Sequence, residues 1–207
     1  MSYKNPVVDI AMPDPTVIKA ADGYFYVYAT ESTRNVPIMK SKDLVEWTYC
    51  NTAFTNKTRP RFEPKAGIWA PDINYINGKY VLYYAMSVWG GEQTCGIGVA
   101  TANSPQGPFT DHGKMFRSNE IGVQNSIDPS LLQYEGRNYL VWGSFRGIYV
   151  IELTADGLSI MPGAKKKRIA GTAFEAVYIH KYGDYYYMFA SIGSCCQGVK
   201  STYKVVV

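Results

Sequence analysis

The sequence predicts an all-β protein of the β-propeller class, and three observations lead to this prediction. The 207 residues include 18 tyrosines, and aromatic residues make up 14% of the chain, which is typical of many short strands with one half-exposed face. One local plan recurs four times along the chain, and no segment has a helical period of useful length. Each repeat is long enough for three or four antiparallel strands, so we expect the repeats to be blades around one axis.

Each repeat begins with an acidic residue, continues as a short extended run and a tight turn, and ends in a Tyr-rich strand. The four repeats read "DPTVIKAADGYFYVYAT" from Asp14, "DINYINGKYVLYYAMS" from Asp72, "DPSLLQYEGRNYLVWGS" from Asp128 and "EAVYIHKYGDYYYMFAS" from Glu175. The turns contain "DG", "NG", "EG" and "GD", which supply the positive φ of tight hairpins. The predicted blades cover 10–50, 69–112, 126–162 and 174–207 of a single domain, 1–207.

The innermost strand of a propeller blade lines the central channel, so the repeat predicts that its four leading acids lie close together around the axis. A β-sandwich is the alternative architecture, but it does not explain why an acid recurs. Pro13 and Pro15 flank Asp14, and the following proline favours extended geometry at Asp14. The chain ends at "STYKVVV", within a strand and without a closing turn, so we expect a further blade to be missing and the propeller to be incomplete.

Composition and charge exclude several classes of partner. The net charge is +4, and the basic run Lys165–Arg168 is expected to be a solvated loop, so nucleic acid is not an expected partner. No apolar run approaches the ~18 residues of a membrane span, and the first ten residues contain no signal-peptide core. A cytoplasmic protein and an exported protein whose signal was removed both remain open. The adjacent Cys195 and Cys196 could form a vicinal disulfide or pack within a turn.

Five motifs in the same order and spacing resemble glycoside hydrolase family 43. They are "PDP" at 13–15, "WAPDI" at 69–73, "SIDPS" at 126–130, "FEAVYI" at 174–179 and "CCQGVKSTYKVVV" at 195–207. Within this family the chain is most similar to the arabinan endo-1,5-α-L-arabinanases. The resemblance implies a five-bladed propeller with about four blades in this chain. It also implies an inverting hydrolase that cleaves α-1,5-linked L-arabinofuranosyl bonds in arabinan or arabino-oligosaccharides.

The resemblance assigns the catalytic roles to three of the four leading acids. Asp14 would be the general base, Glu175 the general acid, and Asp128 the carboxylate that modulates the pKa of the acid and orients it. An inverting glycosidase needs an ionised base and a protonated acid at the same pH, with a water molecule between the base and the anomeric carbon. Asp72 lies outside this set, and we expect it to be a structural, hydrogen-bonded residue near the base of the cleft.

The resemblance also implies substrate contacts by Trp69, Asn125, Ser126, Phe145 and Arg146. Trp69 could stack on a sugar ring, although a core position between blades is an equally open interpretation. The segment "GSFRGI" stands where arabinanases usually read "GSFWxGI", so Arg146 replaces a tryptophan. This departure leaves open an exo-acting α-L-arabinofuranosidase or β-xylosidase of the same family.

No cofactor is expected for the chemical step. The arabinanases usually hold a structural calcium with a histidine from the last blade, and no ligand for it can be assigned in this chain. The expected partners are the polysaccharide or its oligomers and, as a further hypothesis, the missing blade as a separate segment; no membrane partner is expected. A carbohydrate-binding propeller with little turnover is the alternative from a different functional class.

Overall fold

The computed structural model describes residues 3–207, and these residues form four antiparallel sheets, each made of strands that are consecutive in the chain. The first sheet contains β1 (Thr16–Lys19), β2 (Phe25–Tyr28), β3 (Pro37–Ser41) and β4 (Thr48–Thr52). The second contains β5 (Gly67–Ile76), β6 (Lys79–Ser87), β7 (Gly96–Ala102) and β8 (Thr110–Arg117). The third contains β9 (Ser130–Tyr134), β10 (Arg137–Trp142), β11 (Ile148–Glu152) and β12 (Lys167–Ala170), and the fourth β13 (Glu175–Tyr182), β14 (Tyr185–Ile192) and β15 (Lys204–Val206).

Helical structure in the described residues is limited to two short elements. A four-residue helix, α1 (Ser118–Ile121), follows β8, and a 3₁₀ turn (Gly198–Lys200) precedes β15. Neither element, nor any other part of residues 3–207, provides a helix with the length and apolar character needed to cross a bilayer. The all-β prediction is therefore confirmed.

The sheets pack face to face in chain order, as blades of a propeller do. The first and second sheets share a core that includes Tyr26, Ile38, Leu82 and Tyr84. The second and third sheets share a core around Ile97, Phe116, Leu140 and Trp142. The third and fourth enclose Val141, Ile148, Val177 and Ala190. None of the buried clusters in residues 3–207 combines the first sheet with the fourth, and the outer hairpin of the fourth sheet exposes its tyrosines.

Buried tyrosines use their hydroxyl groups to link blades or strands, which explains why the strands use tyrosine where phenylalanine would fill the same space. Tyr28, Tyr83 and Tyr84 are fully buried. The Tyr83 hydroxyl donates to the Gly157 carbonyl at 2.8 Å and the Tyr84 hydroxyl to Asp111 Oδ1 at 2.5 Å, while Tyr28 donates to the Pro105 carbonyl. A buried phenol needs such a partner, so each ring fills the core while its hydroxyl fixes a loop of the next blade (Tyr28, Tyr83) or the outer strand of its own blade (Tyr84).

Every sheet has a two-residue bulge either within its inner strand (β5 and β13) or directly before it (β1 and β9), and this bulge positions the candidate site. The ladder pairs one residue, skips two, and resumes at the next, as between Trp69 and Asp72 and between Glu175 and Tyr178. The first skipped residue has a left-handed backbone in all four sheets, at Asp14 (φ 51°), Ala70 (φ 41°), Asp128 (φ 57°) and Ala176 (φ 51°). The extended geometry predicted for Asp14 is therefore wrong.

The bulge also corrects the alignment of the repeats. Asp14 and Asp128 occupy the first bulge position, but Asp72 lies two residues after the equivalent Ala70, and Glu175 lies one residue before the equivalent Ala176. An acid does not recur at one structural position in all four blades. The repeat was recognisable because the hairpin turns and Tyr-rich strands that follow the bulge are shared.

The outer strands extend past the predicted blade limits. The second sheet continues to Arg117 rather than 112, and β12 lies beyond the predicted limit of 162. Lys167 and Arg168, expected in a loop, are part of this edge strand. Outer strands carry exposed charged residues that protect a sheet edge, so they lack the alternating apolar pattern by which the inner strands were recognised.

Candidate active site

Loops from all four sheets surround one cleft, a cavity of about 470 Å³. Its floor is formed by the bulges, and Asp14, Asp128 and Glu175 line it from three different sheets. A second cavity of about 630 Å³ follows the axis and shares Asp14 and Asp128 with the cleft. The predicted convergence of carboxyl groups far apart in sequence is thus present in the structure.

Asp14 is exposed to the cleft and is oriented by one hydroxyl donor. Thr30 Oγ1 donates to Asp14 Oδ2 at 2.5 Å and accepts a hydrogen bond from the Ala70 amide at 2.6 Å. Because the Ala70 N–H can only donate, the Thr30 hydroxyl proton must point at Asp14. The remaining lone pairs of Asp14 face an open, wet cavity, which is the setting required for a base that takes a proton from water.

A buried ion pair fixes the segment that carries Thr30. The Glu31 carboxylate accepts both guanidinium nitrogens of Arg59 and the backbone amides of Asn35 (2.8 Å) and Ile68 (2.9 Å). Burial alone would raise the pKa of Glu31, but the Arg59 and backbone hydrogen bonds outweigh it and lower that pKa. With every oxygen paired, Glu31 stays ionised and holds Thr30 against the bulge of the neighbouring sheet.

Asp128 is half-buried beside the other two carboxyl groups. Its Oδ2 accepts the Ala176 amide at 3.1 Å, which ties the third bulge to the fourth. Burial, followed by the charges of Glu175 and Asp14, raises the pKa of Asp128 well above the ordinary aspartate value. Asp128 therefore holds a proton under conditions in which an exposed aspartate has lost it, and it is electrostatically coupled to both proposed catalytic groups.

Glu175 is almost enclosed, with 8% of its surface exposed. Ser144 Oγ donates to its Oε2 and the Tyr203 hydroxyl to its Oε1, each at 2.6 Å. Asn125 Nδ2 in turn donates to Ser144 Oγ and to the Ser144 carbonyl, both at 3.0 Å. Asn125 was predicted to contact substrate; it lines the cleft, and its amide also supports Ser144.

Two indole rings and a phenyl ring form the apolar wall of the cleft. Trp69 contacts the buried Ala85–Cys95–Ile127 cluster and also lines the cleft, so part of its surface packs in the core and part is open to the cleft. Trp89 lies beside it, with ring centroids 5.5 Å apart and planes inclined by 51°, and 78% of Trp89 is exposed. Phe145 lines the cleft as predicted. Trp89 was not predicted from the sequence, because it lies in a loop outside every repeat.

Comparison with known proteins identifies the family of this chain. The sequence model of the family "Glycosyl hydrolases family 43" matches residues 3–207. The chain belongs to glycosyl hydrolase family 43. It is 37% identical over 206 residues to an extracellular endo-α-(1→5)-L-arabinanase of Bacillus subtilis, covering 93% of this chain and 62% of that protein. The chain thus spans about three fifths of the length of this curated relative.

Solved family 43 structures share the fold. An arabinanase of Cellvibrio cellulosa in complex with arabinohexaose superposes with a TM-score of 0.83 at 29% identity, covering 95% of this chain and 69% of that one. An exo-1,5-α-L-arabinanase from a bovine ruminal metagenomic library has a TM-score of 0.82 at 31% identity, covering 99% of this chain and 72% of that one. The propeller prediction is confirmed by these superpositions.

One of the predicted substrate contacts in this family 43 chain differs from expectation, and another has a protein partner. Ser126 is 0% exposed: its hydroxyl donates to the Val123 carbonyl at 2.8 Å and accepts Trp142 Nε1 at 3.1 Å. It has no surface with which to touch a substrate, so the prediction for Ser126 is corrected to a packing role. Arg146 lies at the rim of the cleft and forms a two-pronged ion pair with the cleft-lining Glu92, with both N···O distances 3.0 Å.

Asp72 is structural, as expected, and is buried in the axial cavity. Its Oδ2 accepts the Leu131 amide and Asn74 Nδ2, both at 2.7 Å, and its Oδ1 accepts the Thr16 hydroxyl at 3.4 Å. Burial raises the pKa of Asp72 to about 6, against the lowering effect of these hydrogen bonds. Asp72 joins the first three blades at the axis.

The alternatives for the cysteine pair are resolved in favour of a vicinal disulfide between Cys195 and Cys196. Both half-cystines line the cleft. Among residues 3–207, no three His, Cys, Asp or Glu side chains lie in an arrangement that could hold a metal ion.

Proposed function

We propose that this protein hydrolyses α-1,5-linked L-arabinofuranosyl bonds with inversion of configuration, using Asp14 as general base and Glu175 as general acid. The observation that carries the proposal is the contrast between these two carboxyl groups in one cleft. Asp14 is exposed and held by a single donor, whereas Glu175 is enclosed and held at both oxygens. An exposed carboxyl group can take a proton from water, whereas an enclosed one is shielded from water, and these settings fit a base and an acid respectively.

The proposed reaction is a single displacement. Asp14 accepts a proton from a water molecule as the water oxygen attacks the anomeric carbon. Glu175 gives its proton to the glycosidic oxygen, which leaves with the electron pair of the broken C–O bond. The products are a shortened chain and a sugar with the opposite anomeric configuration. Asp128 remains beside both groups, and its charge is coupled to theirs, because Glu175 and Asp14 both contribute to raising the pKa of Asp128.

The substrate class follows from the apolar wall and from the relatives. Trp69, Trp89 and Phe145 present flat surfaces to the cleft, and aromatic rings of this kind pack against the C–H faces of sugars. The Bacillus relative is named as an endo-arabinanase, and the Cellvibrio structure contains arabinohexaose. We propose linear arabinan and its oligosaccharides as substrates. Arg146 and Glu92 supply hydrogen-bonding groups at the rim.

The test is hydrolysis of linear arabinan by the wild-type protein and by Asp14→Asn and Glu175→Gln. We expect each substitution to lower the rate by about 100-fold to 10,000-fold, the usual contribution of a positioned acid or base. Proton NMR of the first product should show the inverted anomer. Unchanged rates in both variants would refute the assignment, and oligosaccharide binding without turnover would favour a carbohydrate-binding protein.

The distribution of products distinguishes the mode of cleavage. Mixed oligosaccharides at early times are expected from endo cleavage. Arabinose as the sole product from the first time point would show exo action instead.

A further inference from the structure

Both oxygens of the Glu175 carboxyl group are occupied by hydroxyl donors that come from different parts of the fold. Ser144 follows β10 in the third sheet, and Tyr203 precedes β15 in the fourth. Their hydrogen bonds to Oε2 and Oε1 are both 2.6 Å long. Two donors on opposite oxygens fix the rotation of the carboxyl plane, which a single donor would leave free.

The direction of the Ser144 hydroxyl is determined by its other neighbour. Asn125 Nδ2 donates both to the Ser144 carbonyl and to Ser144 Oγ, and since a carbonyl oxygen can only accept, the amide nitrogen must face Ser144. The Ser144 oxygen is therefore an acceptor toward Asn125, and its proton points at Glu175. The chain Asn125–Ser144–Glu175 has one consistent donor direction.

The Tyr203 hydroxyl is likewise a fixed donor. Burial and the hydrogen bond to Glu175 raise the pKa of Tyr203 far above the ordinary tyrosine value, so the phenol keeps its proton. The loop before Tyr203 is closed at its base: the Thr202 amide donates to the Ser194 carbonyl at 3.0 Å, and the Ser194 amide to Thr202 Oγ1 at 3.1 Å. This closure holds the phenol in place from one side.

We propose that Tyr203 and Ser144 are positioning residues for the general acid. They hold the carboxyl of Glu175 in one orientation and stabilise the carboxylate that remains after its proton has moved to the glycosidic oxygen. This inference rests on the proposed function, because it gives Glu175 the role of acid. Hydrogen bonds to a charged acceptor are stronger than those to a neutral one, so both contacts strengthen as the proton leaves.

The decisive measurement compares two substrates whose leaving groups differ in their need for a proton. Arabinohexaose expels a sugar alcohol, which must be protonated as the bond breaks, whereas a 4-nitrophenyl α-1,5-arabinotrioside expels a stable phenolate that needs little help. For Tyr203→Phe we expect kcat on arabinohexaose to fall about tenfold or more, with KM nearly unchanged. The loss on the nitrophenyl substrate should be much smaller. Ser144→Ala should behave in the same way.

The pH profile gives an independent readout. The hydroxyl donors favour the ionised form of the acid, so removal of one should move the alkaline limb of the kcat/KM profile on arabinohexaose toward higher pH. Tyr185→Phe is the matched control, because Tyr185 lies in the same sheet on the exposed outer hairpin, with 70% of its surface accessible. This control substitution should leave kcat on both substrates and the pH profile of kcat/KM unchanged.

The outcomes separate the inference from the function on which it rests. The positioning role is refuted if Tyr203→Phe has no effect. It is also refuted if the substitution lowers kcat on both substrates by the same factor and leaves the alkaline limb in place. The proposed function still stands in that case, provided that Glu175→Gln is inactive on arabinohexaose and retains activity on the nitrophenyl substrate. Full turnover of arabinohexaose by Glu175→Gln would overturn both.

Discussion

The buried carboxyl of Asp72 predicts a measurable dependence of stability on pH. Its pKa is raised from 3.8 to about 6 in the folded protein by burial. Below pH 4 the folded and unfolded chains both hold the proton. Between about pH 4 and pH 6 the folded chain keeps a proton that the unfolded chain has lost, so the free energy of unfolding falls as pH rises through this window. A shift of roughly two units corresponds to about 3 kcal/mol.

The substitution that isolates this effect is Asp72→Asn. The amide oxygen of asparagine can accept the Leu131 amide and Asn74 Nδ2, which both bind Oδ2 in the wild type, and its NH₂ group can donate to the Thr16 hydroxyl at the position of Oδ1. The hydrogen-bond geometry is retained and the titration is removed. The stability of the variant relative to wild type should therefore increase by about 3 kcal/mol between pH 4 and pH 7.

Urea unfolding curves at half-unit pH intervals would measure this difference. Asp184→Asn, in an exposed hairpin turn, controls for the change in net charge and should follow the wild-type slope. A difference between Asp72→Asn and wild type that stays constant from pH 4 to pH 7 would show that Asp72 does not titrate in the folded state within this range.

Three further changes probe the supports of the site. Thr30→Val removes the donor to Asp14 and should lower kcat on arabinan about tenfold with little change in KM; an equal rise in KM would contradict an orienting role. Glu31→Gln leaves the buried Arg59 guanidinium without its counter-charge and should reduce the free energy of unfolding by about 3–5 kcal/mol in urea; a loss below 1 kcal/mol would contradict it. Trp89→Ala removes an exposed ring of the cleft wall and should raise KM for arabinohexaose by about 3-fold to 10-fold, as expected for one aromatic contact, while kcat changes little; an unchanged KM would exclude stacking there.

The sequence was sufficient to predict the propeller and the three converging carboxyl groups, for reasons that the structure makes clear. Hairpin turns and Tyr-rich strands are local signals, and they recur because every blade packs on its neighbours in the same way. The tyrosines are long enough to span an intersheet core and to pair with a loop beyond it, as Tyr28 and Tyr83 do. The positions of Asp14, Asp128 and Glu175 depended on the family motifs as well.

The details that sequence could not supply involve contacts between distant segments. The donors to Glu175 come from Ser144, 31 residues earlier, and from Tyr203, 28 residues later. Nothing in either local sequence indicates a shared acceptor. Trp89 lies in a loop whose composition indicates only a turn. Ser126 was misassigned because it adjoins the "IDPS" motif, whereas its hydroxyl is paired with the Val123 carbonyl and the Trp142 indole, contacts that the local sequence does not reveal.

The bulge explains both the prolines around the site and the unlike environments of its acids. A skipped residue leaves a backbone amide without a ladder partner, and proline at the second bulge position, as at Pro15, Pro71 and Pro129, removes that donor. Proline at this position therefore leaves no unpaired backbone donor in the bulge. A shift of one residue along a strand changes the face on which a side chain lies. Asp14, on the bulge, faces the open cleft, and Glu175, one residue before the equivalent position, is enclosed against the neighbouring sheet. A single backbone irregularity repeated in each blade thus provides one exposed and one enclosed carboxyl group from residues of similar chemistry.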